Sequence, residues 1–438
     1  MGRLRVPSVK VMTMRIAVIG GGVVGIACSH KLLDDGHSVI IIDRKGFAAG
    51  ASQGNAGWIA HLDVLPLASP KAWKQVPRWL TDPLGPLAIR PSYSLNILPW
   101  LIRFMAACRP DRVSASMNAI AELNSHALPA WEALLGQLDL TSHLRRRGFL
   151  TVWDKNANQK DLEAVFTFQR DRGISVNILN SAEVRTLEPA LASKVAGGAY
   201  YEDGCHVSDP NDLTFLLGKA ALQRSARILY REVTGIKPHD DGVVLSYDNA
   251  ETDKFDAVVL AAGAWSRPLA ASLGDNIPLD TERGYNSTFA PGSFGLTRPV
   301  VFEGYGFVST PLDTGDRIGG AVEFGGLQAS PNYKRIDALL KRFQEFVPEA
   351  KLENGRQWMG FRPSIPDSLP VVSYSSRDQR VVYAFGHGHY GLTQSAITAR
   401  IVAALVARRT SSFDVSPFSA RRFLGRYSII NAPERTVR

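Results

Sequence analysis

The clearest chemistry lies near the amino end, where Gly20-Gly21-Gly22-Val23-Val24-Gly25 has the G-x-G-x-x-G spacing and Asp43 follows about 20 residues later. A glycine at 20 makes a tight turn, one at 22 lets backbone approach a pyrophosphate, and one at 25 lets a helix pack closely on a strand. Val23 and Val24 open the helix, whose unsatisfied N–H groups attract phosphate. Asp43 is placed to accept ribose hydroxyls, so the spacing predicts a bound dinucleotide.

Three further glycine-rich segments bear on which dinucleotide. They are the small-residue loop Gly50 to Gly57, which includes Ser52, Asn55 and Ala56; the strand end Ala262-Gly263-Ala264-Trp265; and Gly386 to Thr393, with Gly388, Gly391 and Leu392. Alone, each is a plain turn. Together with the fingerprint they suit a resident FAD, which distant segments wrap, better than a leaving nicotinamide. The third precedes a helix whose positive end favours electron density on a flavin.

His387 and His389 in that loop are candidates to hydrogen-bond flavin or substrate, with a satisfied structural histidine as the competing reading. Tyr285 and Tyr305 are candidates to close over a ligand, against ordinary core packing, and His61 is a weaker one. No G-x-S-x-G elbow supports Ser-His-Asp hydrolysis. Cys28, Cys108 and Cys205 show no CxxC or Cys/His spacing, so no metal is expected.

The elements that must position these residues follow from periodicity. Residues 15–44 read as strand, glycine turn, helix and buried strand, one βαβ unit of a parallel sheet. Helices are expected over 70–80, 95–107, 113–136 and 161–172, and a strand over 148–153. Asp209-Pro210-Asn211-Asp212 opens a helix, with Asp209 as cap and Pro210 at its first position. Strands are expected over 227–231, 243–247 and 257–261, and period-two stretches over 288–324 predict an antiparallel sheet. The end returns to the first style, with a strand over 380–385 and a helix over 393–407.

At these residues the chain resembles the FAD-dependent D-amino acid oxidase superfamily, most closely its bacterial D-amino acid and D-hydroxyproline dehydrogenase branch, from Arg15 to about Phe423. The resemblance implies adenine-dinucleotide contacts from Gly20, Gly22, Gly25 and Asp43, with Arg44 and Val233 beside them. It implies flavin contacts from Ser52, Asn55, Ala56 and Gly57 and from Gly388 to Thr393, while Ala262, Gly263 and Trp265 are expected beside the cofactor because a strand ending in small residues lets it approach the backbone. It assigns Arg362, in Gly360-Phe361-Arg362-Pro363, to the substrate carboxylate, a role that a bidentate guanidinium fork suits. Asp43 stands where relatives usually carry glutamate, and Ser373-Tyr374 where they commonly carry a glycine-containing turn. No cysteine lies in the carboxyl-terminal half, so the FAD is expected to be non-covalent.

The fold class that results is α/β: a discontinuous Rossmann-like FAD-binding domain of 14–62, 195–272 and 356–438, with an inserted antiparallel-sheet α+β substrate domain of 63–194 and 273–355. Residues 1–13 are expected to be a disordered extension; the lipoprotein-like Gly25-Ile26-Ala27-Cys28 is read as part of the fingerprint instead. At 438 residues, 45% hydrophobic and 21% charged, the composition is ordinary and globular.

The expected reaction is oxidation of a small amino acid, D-configured or a cyclic imino acid such as D-proline, to its imine, with electrons passing to a quinone or a protein acceptor. A net charge of +9, concentrated partly in an arginine-rich end (Arg408, Arg409, Arg421, Arg422, Arg426, Arg435 and Arg438), is read as solvated surface. The protein is expected to be cytoplasmic, with a peripheral contact to the inner face of the membrane left open and nucleic acid not expected as a partner. Two alternatives stand beside this reading: a flavoprotein acting on RNA-borne amines, and a non-catalytic electron-transfer subunit.

Overall fold

The computed structural model describes residues 13–70, 81 and 87–423. Most of the extension expected over 1–13 and of the helix expected over 70–80 lies outside the described residues, as do Arg426, Arg435 and Arg438.

Strand Arg15–Ile19 is buried on both faces, and so is its neighbour Ser38–Ile42 beyond Ser38. That explains their unbroken apolar runs, because a parallel strand packs against a layer on each side. They sit at the centre of a six-stranded sheet in the order 227–229, 38–42, 15–19, 257–260, 381–385, 371–374. All neighbours are parallel except the last pair. Alternation sorts the layers: Ile16 and Val18 join a core with helices Val23–Asp34, Ala127–Gln137, Pro210–Gln223 and Gly391–Val406, while Ala17 and Ile19 join one with the three-stranded meander Val233–His239, Gly242–Tyr247 and Thr252–Phe255. Ser373-Tyr374 continues the antiparallel edge strand, and the Tyr374 hydroxyl donates to the Leu405 carbonyl at 2.6 Å.

A second sheet of nine strands orders 356–364, 280–288, 315–324, 307–312, 300–302, 149–153, 197–201, 177–180, with 87–89 beside 315–324. Helix Lys334–Gln344 packs Ile336, Leu339 and Phe343 into its core. This sheet begins earlier than the period-two pattern indicates. Strand Asp280–Thr288 is buried at all nine positions yet largely polar, so no apolar alternation marks it. Residues 356–364 and 197–201, expected in the FAD-binding segments, are strands of this second sheet: Arg356–Ser364 pairs along its whole length with Asp280–Thr288, and Gly197–Tyr201 pairs with Phe149–Trp153.

The helix expected over 113–136 is two helices, Pro110–Ser125 and Ala127–Gln137. Pro129 lacks the N–H that would bond one turn back, so it sits in the first turn of the second helix. Asp209 caps its helix as expected: its side chain accepts from Asn211 N–H at 2.8 Å and Asp212 N–H at 3.1 Å.

Candidate active site

The two sheets enclose a cavity of about 1270 Å³. The glycine loop forms one end of it. Gly20 has φ +120°, and a Cβ there would collide with the Ala261 carbonyl. Gly20, Gly22, Val23 and Val24 line the wall, while Gly25 does not: its missing Cβ gives room to the Gly20 carbonyl, so it serves the helix–strand contact.

Helix Val23–Asp34 has no side-chain cap and no acid in its first turn, and Gly391–Val406, which opens onto the same cavity, has neither. Both helix ends therefore keep N–H groups available to an anionic or electron-rich ligand. Val23 N–H is taken by Ser52 Oγ at 2.9 Å, which ties the second loop to the first.

Asp43 lines the cavity, but its carboxylate already accepts from Gly21 N–H at 2.8 Å, Lys45 N–H at 2.8 Å and Gly46 N–H at 3.1 Å. Of roughly four acceptor sites on a carboxylate, about one is left for a ribose hydroxyl. Arg44 stacks over Trp265, 4.7 Å from its centroid, and both line the cavity with Val233, Ala262 and Gly263. Asn55 and Ala56 line it too, and Arg317 braces that loop by donating to the Asn55 carbonyl at 2.7 Å. Gly57, at φ +71°, and Thr393 lie behind the wall. Gly57 shapes the turn by donating to Asn55 Oδ1 at 2.8 Å, and Thr393 Oγ1 holds Ala60 N–H at 2.9 Å. Gly388, His389, Gly391 and Leu392 line the cavity. Cradle, free helix ends and loops fit an extended dinucleotide.

All three cysteines are free and buried, none lines the cavity, and burial pushes the Cys28 and Cys205 thiols up to about 12.

At the other end, alternate positions of the two paired strands face the cavity: Glu282, Gly284 and Asn286 on one, Gly360, Arg362 and Ser364 on the other. Arg362 is half-buried, but its Nη1 is fully enclosed and has no hydrogen-bond partner among the described residues. Burial lowers its pKa, and Glu282, directly opposite across the strand pair, works against that. The guanidinium rests on Gly284, where a Cβ would meet Cζ at 2.5 Å.

Tyr285 lines the cavity with its hydroxyl already engaged, donating to Glu323 Oε2 at 2.8 Å and accepting from Asn332 N–H at 3.0 Å. Tyr305 is not brought there: it donates to Asp154 Oδ2 at 2.7 Å and packs on Phe346. His61 is also off the wall, its Nδ1 donating to the Ile59 carbonyl at 3.1 Å. His387 lines the cavity, is bonded through Nε2 to Thr398 Oγ1 at 3.0 Å, and is pushed by burial down to about 3, so it stays neutral.

Glu282 is one wall residue among several that the sequence leaves unmarked. It is 1% exposed; Oε2 lies 2.7 Å from His389 Nε2, and Oε1 accepts from Ser364 Oγ. Burial opposes its ionisation, but the hydrogen bond from His389, the nearby Arg362 guanidinium and the Ser364 bond outweigh that and hold the carboxyl below its usual value. Nothing local to position 282 signals this, because its partners lie about 80 and 107 residues away in sequence.

Residues 15–405 match the family model described as FAD dependent oxidoreductase. A D-amino-acid oxidase of Bradyrhizobium diazoefficiens is 35% identical over 416 residues, covering 93% of this chain and 99% of the relative. A D-amino acid dehydrogenase of Neisseria meningitidis is 27% identical over 423 residues, covering 94% and 100%. Among solved structures, glycine oxidase from Geobacillus kaustophilus superposes with a TM-score of 0.75 at 25% identity, covering 94% of this chain and 100% of that one.

Proposed function

This chain belongs to the family of FAD dependent oxidoreductases, and we propose that within it the enzyme oxidises the Cα–N bond of a small D-amino acid or cyclic imino acid to the imine. The single observation that carries the substrate reading is the buried, unpartnered Nη1 of Arg362 in the wall of the cavity that also holds the glycine loop. A desolvated guanidinium without a hydrogen-bond partner at that nitrogen is a standing site for an anion.

In this reading the Gly20–Gly22 turn and the open end of helix Val23–Asp34 hold the pyrophosphate, and the loops at Ser52–Ala56, Ala262–Trp265 and Gly388–Leu392 enclose the flavin. FAD, when bound, supplies the acceptor for a hydride. Arg362 holds the substrate carboxylate at two points, which turns the Cα–H in one direction, and Gly284 leaves the guanidinium room to do so. The tests on the amine oxidation itself are direct: D- and L-amino acids, proline included, are mixed anaerobically with the yellow protein and the flavin absorbance is followed. Bleaching by a D-amino acid or cyclic imino acid is expected; bleaching by none of them would refute the reading.

The electron acceptor is proposed to be a quinone or a partner protein in preference to oxygen. The names of the relatives point both ways, one an oxidase and one a dehydrogenase. The observation favouring the second is an exposed apolar face on helix Ser94–Ala107, where the protein would rest on a membrane.

A further inference from the structure

Amine oxidation needs the lone pair of a neutral amine, whereas an amino acid near neutral pH arrives as an ammonium. That proton goes either to solvent before binding or to a group in the cavity wall, and the side chains described above include one placed to take it. Glu282 is buried and ionised, so it can only accept hydrogen bonds, and the ring nitrogen 2.7 Å from it, His389 Nε2, must carry hydrogen. In the neutral imidazole the other nitrogen, Nδ1, is then the one with a lone pair. His389 lines the cavity and its side chain is 45% exposed, so that lone pair is reachable, unlike His387, whose ring is buried against Thr398.

We propose that His389 Nδ1 accepts the proton of the substrate ammonium and that Glu282 is the positioning residue behind it. This deepens the amino-acid reading and rests on it. The N–H bond of the ammonium breaks, its electron pair stays on nitrogen as the lone pair that oxidation uses, and a new N–H bond forms at Nδ1. No electron changes hands in this step, and the proton later leaves the imidazolium to solvent. Glu282 stabilises the imidazolium by charge and fixes the tautomer and ring orientation, as a carboxylate behind a histidine does in other settings. The strand pairing places Glu282 opposite Arg362, so the group that takes the proton and the group that holds the carboxylate are fixed to one pair of strands.

The charged and titratable groups facing His389 are Glu282 on Asp280–Thr288, Arg362 across from it, and Asp63 on the loop after strand Trp58–Ile59. Tyr390, next in the chain, donates to the Leu65 carbonyl at 2.8 Å and carries no charge there.

The test is anaerobic stopped-flow reduction of the FAD-loaded protein, using D-alanine or D-proline, whichever reduces the parent, from about pH 6 to about pH 10. His389→Gln should slow reduction on the order of 100-fold at neutral pH and recover as the substrate loses its own proton in solution. Glu282→Gln should move the profile the same way by on the order of tenfold, and Glu282→Asp should restore part of it. The dissociation constant of benzoate, which has a carboxylate and no amine, should stay within about threefold of the parent in His389→Gln. An unchanged pH profile in His389→Gln, or a loss that persists undiminished at high pH, overturns the inference. A parent that no amino acid reduces takes the functional reading down as well, which is a different result from a reducible parent whose variants behave alike.

Discussion

The unpartnered Nη1 of Arg362, opposite the Glu282 carboxylate in the strand pair, is the charge arrangement on which the amino-acid reading rests. The glycine loop is legible because its chemistry is a backbone requirement written as residue identity: only glycine at 20 tolerates φ +120° beside the Ala261 carbonyl. Arg362 was reachable through resemblance alone, and Glu282 not at all, because a glutamate in a polar run acquires meaning only when strand pairing sets it opposite 362 and against His389. The expected consequence at this scale concerns the guanidinium. Arg362→Ala should keep its FAD and lose about 2–5 kcal/mol of transition-state binding, on the order of 30-fold to several thousand-fold in kcat/KM for amino acids. Arg362→Lys should recover only part of that, since one ammonium cannot reproduce a planar two-point grip. The matching amine without a carboxylate should be a poor substrate of the parent and change little on mutation. Steady-state kinetics with a soluble acceptor decide it: turnover of amino acids within about threefold of the parent, the scale of an exposed ion pair, would remove Arg362 from the role.

Among elements, the βαβ unit and the carboxyl-terminal helix were legible because apolar runs and glycine turns report a parallel sheet directly. Strand Asp280–Thr288 was not, since its buried polar side chains are paid for by partners from elsewhere: Asp280 with Tyr93, Arg283 with Glu323, Asn286 with the Gly54 carbonyl. The helix start at Asp209 joins the two kinds of element. One carboxylate oxygen caps Pro210–Gln223, and the other accepts from Thr314 Oγ1 at 2.6 Å and pairs with Arg317 at 3.3 Å, which in turn holds the Asn55 carbonyl of the cavity loop. Both side chains of the pair are more than nine-tenths buried. Removing the carboxylate leaves a buried guanidinium uncompensated, so Asp209→Ala is expected to cost about 3–5 kcal/mol, with the lost cap contributing about 1 of that. Asp209→Asn keeps an acceptor for the cap and should cost less. Denaturant midpoints of the FAD-loaded protein measure this; a change under about 0.5 kcal/mol, ordinary for a surface site, would mean that Arg317 finds another partner.

Charge and apolar surface belong to the molecule as a whole, and composition alone was a poor guide to either. Part of the basic carboxyl-terminal end is committed within the protein: Arg409 pairs with Asp35, and Arg422 with Asp367 at 2.8 Å. The apolar face of Ser94–Ala107 is different. Leu95, Leu98, Ile102 and Met105 are 83%, 49%, 58% and 52% exposed and fall at i, i+3, i+7 and i+10, one stripe of a helix whose other side buries Ile97, Trp100, Leu101 and Phe104. The helix contains no acid; Arg103 is exposed on it, and just beyond it lie exposed Arg112 and Arg109, the latter paired with Asp111 at 3.3 Å. Among the described residues no helix is long and apolar enough to cross a membrane. An apolar stripe rimmed by arginine suits the boundary between acyl chains and anionic headgroups, where a quinone would be met. The FAD-loaded protein is therefore expected to sediment with vesicles containing phosphatidylglycerol and to bind phosphatidylcholine vesicles weakly. Placing charges at two stripe positions, Leu98→Glu with Ile102→Glu, removes on the order of 3 kcal/mol of apolar burial and should weaken vesicle binding on the order of 100-fold. Neither residue lines the cavity, so turnover with a soluble dye should be unchanged while turnover with a vesicle-embedded quinone falls. Equal sedimentation of parent and double variant would show that the stripe is not the contact, and peroxide formation from oxygen as fast as reduction of the quinone would end the case for a membrane acceptor.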